Sequence, residues 1–184
     1  MKKKNLLKKY LIQFKPFLLF IGTFFFAYII LTILYKLYLN SFEANDVDGV
    51  TNIVGRNVEQ IMNLFNCDIK IQKNQLSPFL EVWYNKKRTV RIVEGCNAVS
   101  VLILFVSFVV AFSGKFKATI VFILAGSLCI YILNVIRIAI LTVLIYRFPE
   151  NVHILHGVLF PLIIYGLVFL LWIFWINKFS KYAK

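Results

Sequence analysis

Long apolar runs alternate with short charged stretches along this chain, and the runs have the length of bilayer spans. Residues 17–39 are apolar almost without interruption, and their one charge, Lys36, lies near the end where a lysine stem can snorkel to an interface. Crossing the hydrocarbon takes about 20 such residues. The run at 97–112 is short, although Val93 extends it across Glu94 and Gly95; the run at 118–146 exceeds one span. The last, 153–176, closes on Trp172, Phe174 and Trp175, as aromatic belts at membrane interfaces do. Four transmembrane helices are expected. The first is too long for the apolar region of a cleaved signal peptide and no small-residue cleavage site follows Leu39, so it is read as retained.

The pattern changes between residues 40 and 92. Val50, Ile53, Val54, Val58, Ile61, Met62 and Phe65 recur at a helical period behind a cap at Asp46 or Asp48. This amphipathic helix is expected to lie on the membrane surface or pack on the bundle, with the wall of a peptide groove as the alternative. Ile69 and Ile71, then Leu80, Val82 and Tyr84, then Val90 and Ile92 alternate with polar residues. They predict two or three short strands and a hairpin at the Asn85-Lys86-Lys87-Arg88 turn. The fold class is thus an all-α membrane protein of about four transmembrane helices with a small external α/β insert. Its expected parts are a basic tail (1–16), a first helix (17–39), the insert (40–92), a three-helix core (93–176) and a second basic tail (177–184).

Composition agrees. The chain of 184 residues is 60% hydrophobic with a net charge of +13. The positives are not one patch, which argues against nucleic-acid binding. Lys2, Lys3, Lys4, Lys8, Lys9 and Lys15 precede the first span, Lys115 and Lys117 lie between the second and third, and Lys178, Lys181 and Lys184 follow the last. The acids fall in or beside the other two connections. The positive-inside bias then predicts a multi-pass membrane protein with both termini cytoplasmic; a bacterial inner membrane is the expected location. The insert and the 147–152 turn would face the periplasm or exterior.

On that topology three chemically distinctive groups share the outer leaflet: Cys96 at the start of the second span, Arg137 late in the third, and His153 and His156 at the start of the fourth. Ionisable groups at membrane depth are costly and are read as functional by default. Cys129 sits in an apolar helix, where cysteine behaves as a small hydrophobe. Cys67 is expected outside, so a Cys67–Cys96 disulfide is an alternative to a free thiol. Arg137, with Asn134 one turn earlier, suits oxyanion stabilisation; a headgroup-anchoring arginine is the plainer reading. The histidines, the only two in the chain, lack further ligands at metal spacing, so neither metal nor cofactor is expected. A thiol, a guanidinium and an imidazole at one depth look like a covalent catalyst acting on a carbonyl.

Three local signatures, in order, resemble the exosortase/archaeosortase family of membrane transpeptidases. They are Val93-Glu94-Gly95-Cys96-Asn97-Ala98, Leu133-Asn134-Val135-Ile136-Arg137-Ile138, and His153-Ile154-Leu155-His156-Gly157. The resemblance spans about 90–176; Ala98 stands where glycine is common, and the short chain looks most like the exosortase F subfamily. It implies a membrane-embedded cysteine transpeptidase that cleaves the C-terminal sorting signal (motif, hydrophobic helix, basic tail) of an exported protein through a thioester and passes the new end to an acceptor nucleophile. Cys96 would be the nucleophile, Arg137 the oxyanion donor and His153, four residues before Gly157, the acid/base. His156, Asn134 and Asn97 would be alternatives or supports. The partners would be the exported substrate and membrane lipid. A scaffold, a small anion transporter and a thiol oxidoreductase remain the competing readings.

Overall fold

The structure, a computed structural model, describes residues 12–43, 45–112 and 114–179. Most lysines of the two basic tails lie outside the described residues. Helix α1 (Lys15–Leu39) begins with a proline in its first turn, where the missing N–H costs nothing, and runs unbroken for 25 residues. Helix α2 (Gly49–Leu64) and the strands β1 (Ile69–Lys73), β2 (Leu80–Tyr84) and β3 (Lys87–Ile92) form the insert. A 3-10 turn (Glu94–Cys96) leads to α3 (Val99–Ala111), followed by α4 (Phe116–Arg147). A segmented helix from Pro149 ends as α5 (Phe160–Lys178). Three helices are long and apolar enough to cross a membrane, namely α1, α4 and the segment ending in α5; α3, of 13 residues, is a shorter apolar helix beside them. The chain is a multi-pass, mostly helical membrane protein with a small sheet insert, as its apolar pattern predicts.

The helices pack around α3. Helix α1 lies along it, with Phe20 against the rings of Phe108 and Phe112. Gly126 of α4 meets the ring of Phe105, so tightly that a side chain there would collide with it; this is why α3 and α4 approach so closely. Phe105, Val109, Ile130, Val168 and Trp175 are buried together at the centre. Trp175 Nε1–H donates to the Phe112 carbonyl at 2.8 Å and fixes the C-terminal end of α3 to that of α5.

Of the two candidate caps for α2, Asp48 is the one used: its carboxylate accepts from the Thr51 N–H at 3.0 Å. Asp46 instead accepts from Lys73 Nζ at 2.7 Å. The apolar stripe packs on the bundle, burying Val54, Val58 and Met62, while Ile53 and Phe65 at its margins stay exposed. Asn57 Nδ2 donates to the Tyr131 hydroxyl at 2.6 Å and ties α2 to α4. The sheet is antiparallel in the order β1-β2-β3. Its hairpin turn is tighter than the four residues expected: only Asn85 and Lys86 lie between the strands, both at positive φ (48° and 62°). Such a primed turn matches the natural twist of two paired strands.

The insert and the α4–α5 connection occupy one end of the molecule, where Tyr84 meets Tyr146 edge-on at 5.1 Å and β3 lies against α4. The α3–α4 connection lies at the other end.

Candidate active site

Cys96 closes the turn that joins the sheet to α3 and is 8% exposed. Its N–H donates to the Val93 carbonyl at 2.8 Å. Its own carbonyl accepts from Asn134 Nδ2 at 2.8 Å, so α4 holds the cysteine main chain from the far side. Arg137, one turn further along α4, donates from Nη1 to Asn134 Oδ1 at 3.4 Å. Among the described residues, its Nε is one of two buried side-chain nitrogens without a hydrogen-bond partner; the other is Trp172 Nε1.

Asn97 is almost fully buried and joins three elements. Its Nδ2 donates to the Tyr35 hydroxyl of α1 at 2.8 Å and to Thr51 Oγ1 of α2 at 3.1 Å. Its Oδ1 accepts the Val99 N–H at 3.0 Å and caps α3 across Ala98, which adopts the left-handed conformation with φ 66°. Side-chain amides therefore anchor Cys96 and the residue after it: Asn134 of α4 holds the cysteine carbonyl, and Asn97 reaches α1 and α2.

A cavity of about 770 Å³ opens between β3 and α4. Its wall includes Cys96 and His156, with residues 88–93 on one side and Ile138, Leu141 and Ile145 on the other. Arg137 is a charged neighbour of His156 but not part of the wall. His153 is exposed on the short turn Val152–Ile154, outside the wall. The structure thus links Cys96, Asn134, Arg137 and His156; both histidines are exposed, and of the two only His156 is on the cavity wall.

His156 and Gly157 lie in a π-helical stretch, Leu155–Leu159, closed by a bond from the Phe160 N–H to the Leu155 carbonyl. Pro161 accounts for it. Proline has no N–H to bond the Gly157 carbonyl and its ring crowds that carbonyl, so the helix widens by one residue just before it. Gly157 and Gly95 have open space where a side chain would point, so packing within the chain does not demand glycine at either position.

All three cysteines are free thiols. Cys67 lies in a second, wholly apolar recess between α2 and α4 with Ile136, Ile140 and Val143. Among the described residues, no three His, Cys, Asp or Glu side chains gather as metal ligands. Tyr35 and Thr51 were not legible as site residues: each looks like an ordinary member of its helix, and only the tertiary fold brings them to Asn97.

A thiol and an imidazole in one recess, with a cation behind them, can exchange a proton and attack a carbonyl. A sequence-family model described as transmembrane exosortase matches residues 13–176. No curated protein and no solved structure matches the chain.

Proposed function

Because the chain belongs to the transmembrane exosortase family, we propose that it is a membrane-embedded cysteine transpeptidase that trims C-terminal sorting signals of exported proteins. The observation that carries this reading is the cavity wall shared by Cys96 and His156, with Arg137 tied to Cys96 through Asn134. The Cys96 thiolate attacks the scissile carbonyl. Arg137, tied to Asn134 behind Cys96, supplies the positive charge that stabilises the oxyanion. The intermediate collapses to a thioester as the amine of the departing sorting helix takes a proton from His156. An acceptor nucleophile then attacks the thioester, gives its proton to His156 and releases the Cys96 thiolate, which restores the starting pair.

His156 is preferred to His153 for the proton because it lines the cavity. The site faces the periplasm and both termini face the cytoplasm; in support, Lys115 and Lys117 flank the α3–α4 connection, at the end away from the cavity. The resemblance to the F subfamily rests on the compactness of the chain and the Cys96-Asn97-Ala98 form of the first motif.

The test compares the C-terminal peptides of membrane proteins from cells carrying wild type, Cys96→Ala, His153→Ala or His156→Ala. The expected result is uncut tails with Cys96→Ala and a loss of about 10²-fold or more with His156→Ala, the usual scale for a general acid/base. His153→Ala keeps trimming. If the two histidine variants behave the other way round, the acid/base is His153. If tails are trimmed as usual with Cys96→Ala, the nucleophile assignment fails and a scaffold is the better reading.

A further inference from the structure

We propose that the free edge of β3 takes up the substrate as a fourth strand and so delivers the scissile carbonyl to Cys96; the inference rests on the transpeptidase reading above and adds how the substrate is held. The sheet has two edges. At β1 the edge is covered: Glu59 of α2 accepts the Ile71 N–H at 2.8 Å. At β3 no further strand follows among the described residues, and residues 88–93 line the cavity without a gap. A strand that turned one face to the cavity would contribute alternate residues; an unbroken run is what an edge contributes.

The register says which main-chain groups are free. The Asn85 N–H donates to the Asp68 carbonyl at 2.8 Å and the Asn74 N–H to the Phe79 carbonyl at 3.0 Å. In an antiparallel ladder the bonded pairs alternate, so Lys70 with Trp83 and Gln72 with Glu81 are the bonded pairs of β1 and β2. Leu80, Val82 and Tyr84 therefore turn their main chain toward β3, where they pair with Ile92, Val90 and Lys87. Arg91, opposite Glu81, directs its N–H and C=O off the sheet at the cavity side. An exposed edge of this kind is a template for an added strand.

The occupant is an extended peptide with no lysine or arginine in the paired stretch. The wall supplies Arg91, and Arg88 whose guanidinium is paired with Glu81 behind it at 3.2 Å, and no carboxylate of its own, so a basic segment is disfavoured and a neutral or acidic one accepted. Chain continuity aligns it: β3 runs through Val93 and one 3-10 turn into Cys96, so a strand laid along β3 ends beside the thiol.

The probe is a membrane protein whose tail stays uncut in Cys96→Ala cells. Proline at an outward-facing edge position removes an N–H without breaking the inner ladder. Arg91→Pro is expected to process the probe about tenfold more slowly than Arg91→Ala, the scale of one lost hydrogen bond to substrate, since both lack the guanidinium and only one lacks the amide. Equal rates overturn the proposal. A second measurement does not depend on how well the proline variant folds. In Cys96→Ala enzyme lacking Cys67 and Cys129, Arg91→Cys or Val93→Cys is crosslinked to single cysteines scanned along the residues before the probe's apolar helix. A paired strand gives alternate positions, and the pattern shifts by two residues between the two enzyme sites. Crosslinks without alternation or shift overturn strand pairing and leave the transpeptidase reading intact. If no protein keeps its tail in Cys96→Ala cells, the transpeptidase reading fails and the strand proposal fails with it.

Discussion

Ala98 is a small residue in an unusual conformation beside the candidate nucleophile. Holding a non-glycine residue at φ 66° costs on the order of 1–2 kcal/mol. Glycine would remove that strain, yet it would lose about 0.8 kcal/mol of methyl burial and about 0.5–1 kcal/mol to the greater freedom of the unfolded chain. The terms nearly cancel, which explains how alanine is accommodated where the family resemblance leads one to expect glycine. Ala98→Gly is expected to change stability by less than about 1 kcal/mol, while Ala98→Val, β-branched in the left-handed region and 5% exposed, is expected to lose more than about 2 kcal/mol. Thermal unfolding in detergent measures both. At this scale the sequence showed which side chains are chemically distinctive, because a cysteine, an arginine and two histidines stand out against an apolar background. It did not show which histidine enters the cavity. The two are three positions apart, and a π-helical widening caused by Pro161 lies across the second.

The apolar helices were easy to read, since a run of bilayer length tolerates no other structure. The insert was harder. Its helix period and its alternating strands were visible, but the two-residue turn was hidden in a four-residue polar stretch. Coverage of the β1 edge by Glu59 depends on a contact between elements, which no local pattern contains. Within the sheet, Glu81 is 8% exposed and accepts from Asn74 Nδ2 at 3.0 Å, Trp83 Nε1 at 3.2 Å and Arg88 Nη1 at 3.2 Å. These bonds, that from Asn74 foremost, hold its carboxyl below the usual range for glutamate. A carboxylate with a lowered folded pKa adds stability above its unfolded pKa of about 4.3, and that stability is lost as pH falls through the folded value. Glu81→Gln is therefore expected to lower the melting temperature at neutral pH and to flatten its fall between about pH 5 and 3. The check is a series of melting curves for wild type and variant across that range.

At the scale of the whole molecule, the sequence indicated that distant segments meet, because charge bias fixes which connections share a side. The structure adds that the insert and the α4–α5 connection close over one end and form the cavity wall together. The shortness of α3 has a further consequence. Thirteen residues rise about 20 Å, against about 30 Å of hydrocarbon. With its C-terminal end anchored by Trp175 to α5, the polar start of α3 at Asn97 lies about 10 Å short of the opposite surface unless the lipid thins there. Each ångström of such mismatch costs a fraction of a kcal/mol, so bilayer thickness acts on the very turn that carries Cys96. Reconstituted in lipids with acyl chains of about 14 carbons, the protein is expected to process its substrate faster than in chains of about 22 carbons. A rate indifferent to chain length would mean that α1 and α5 shield the turn from lipid. A rate that follows it makes membrane thickness a control on where in the cell envelope this protein works.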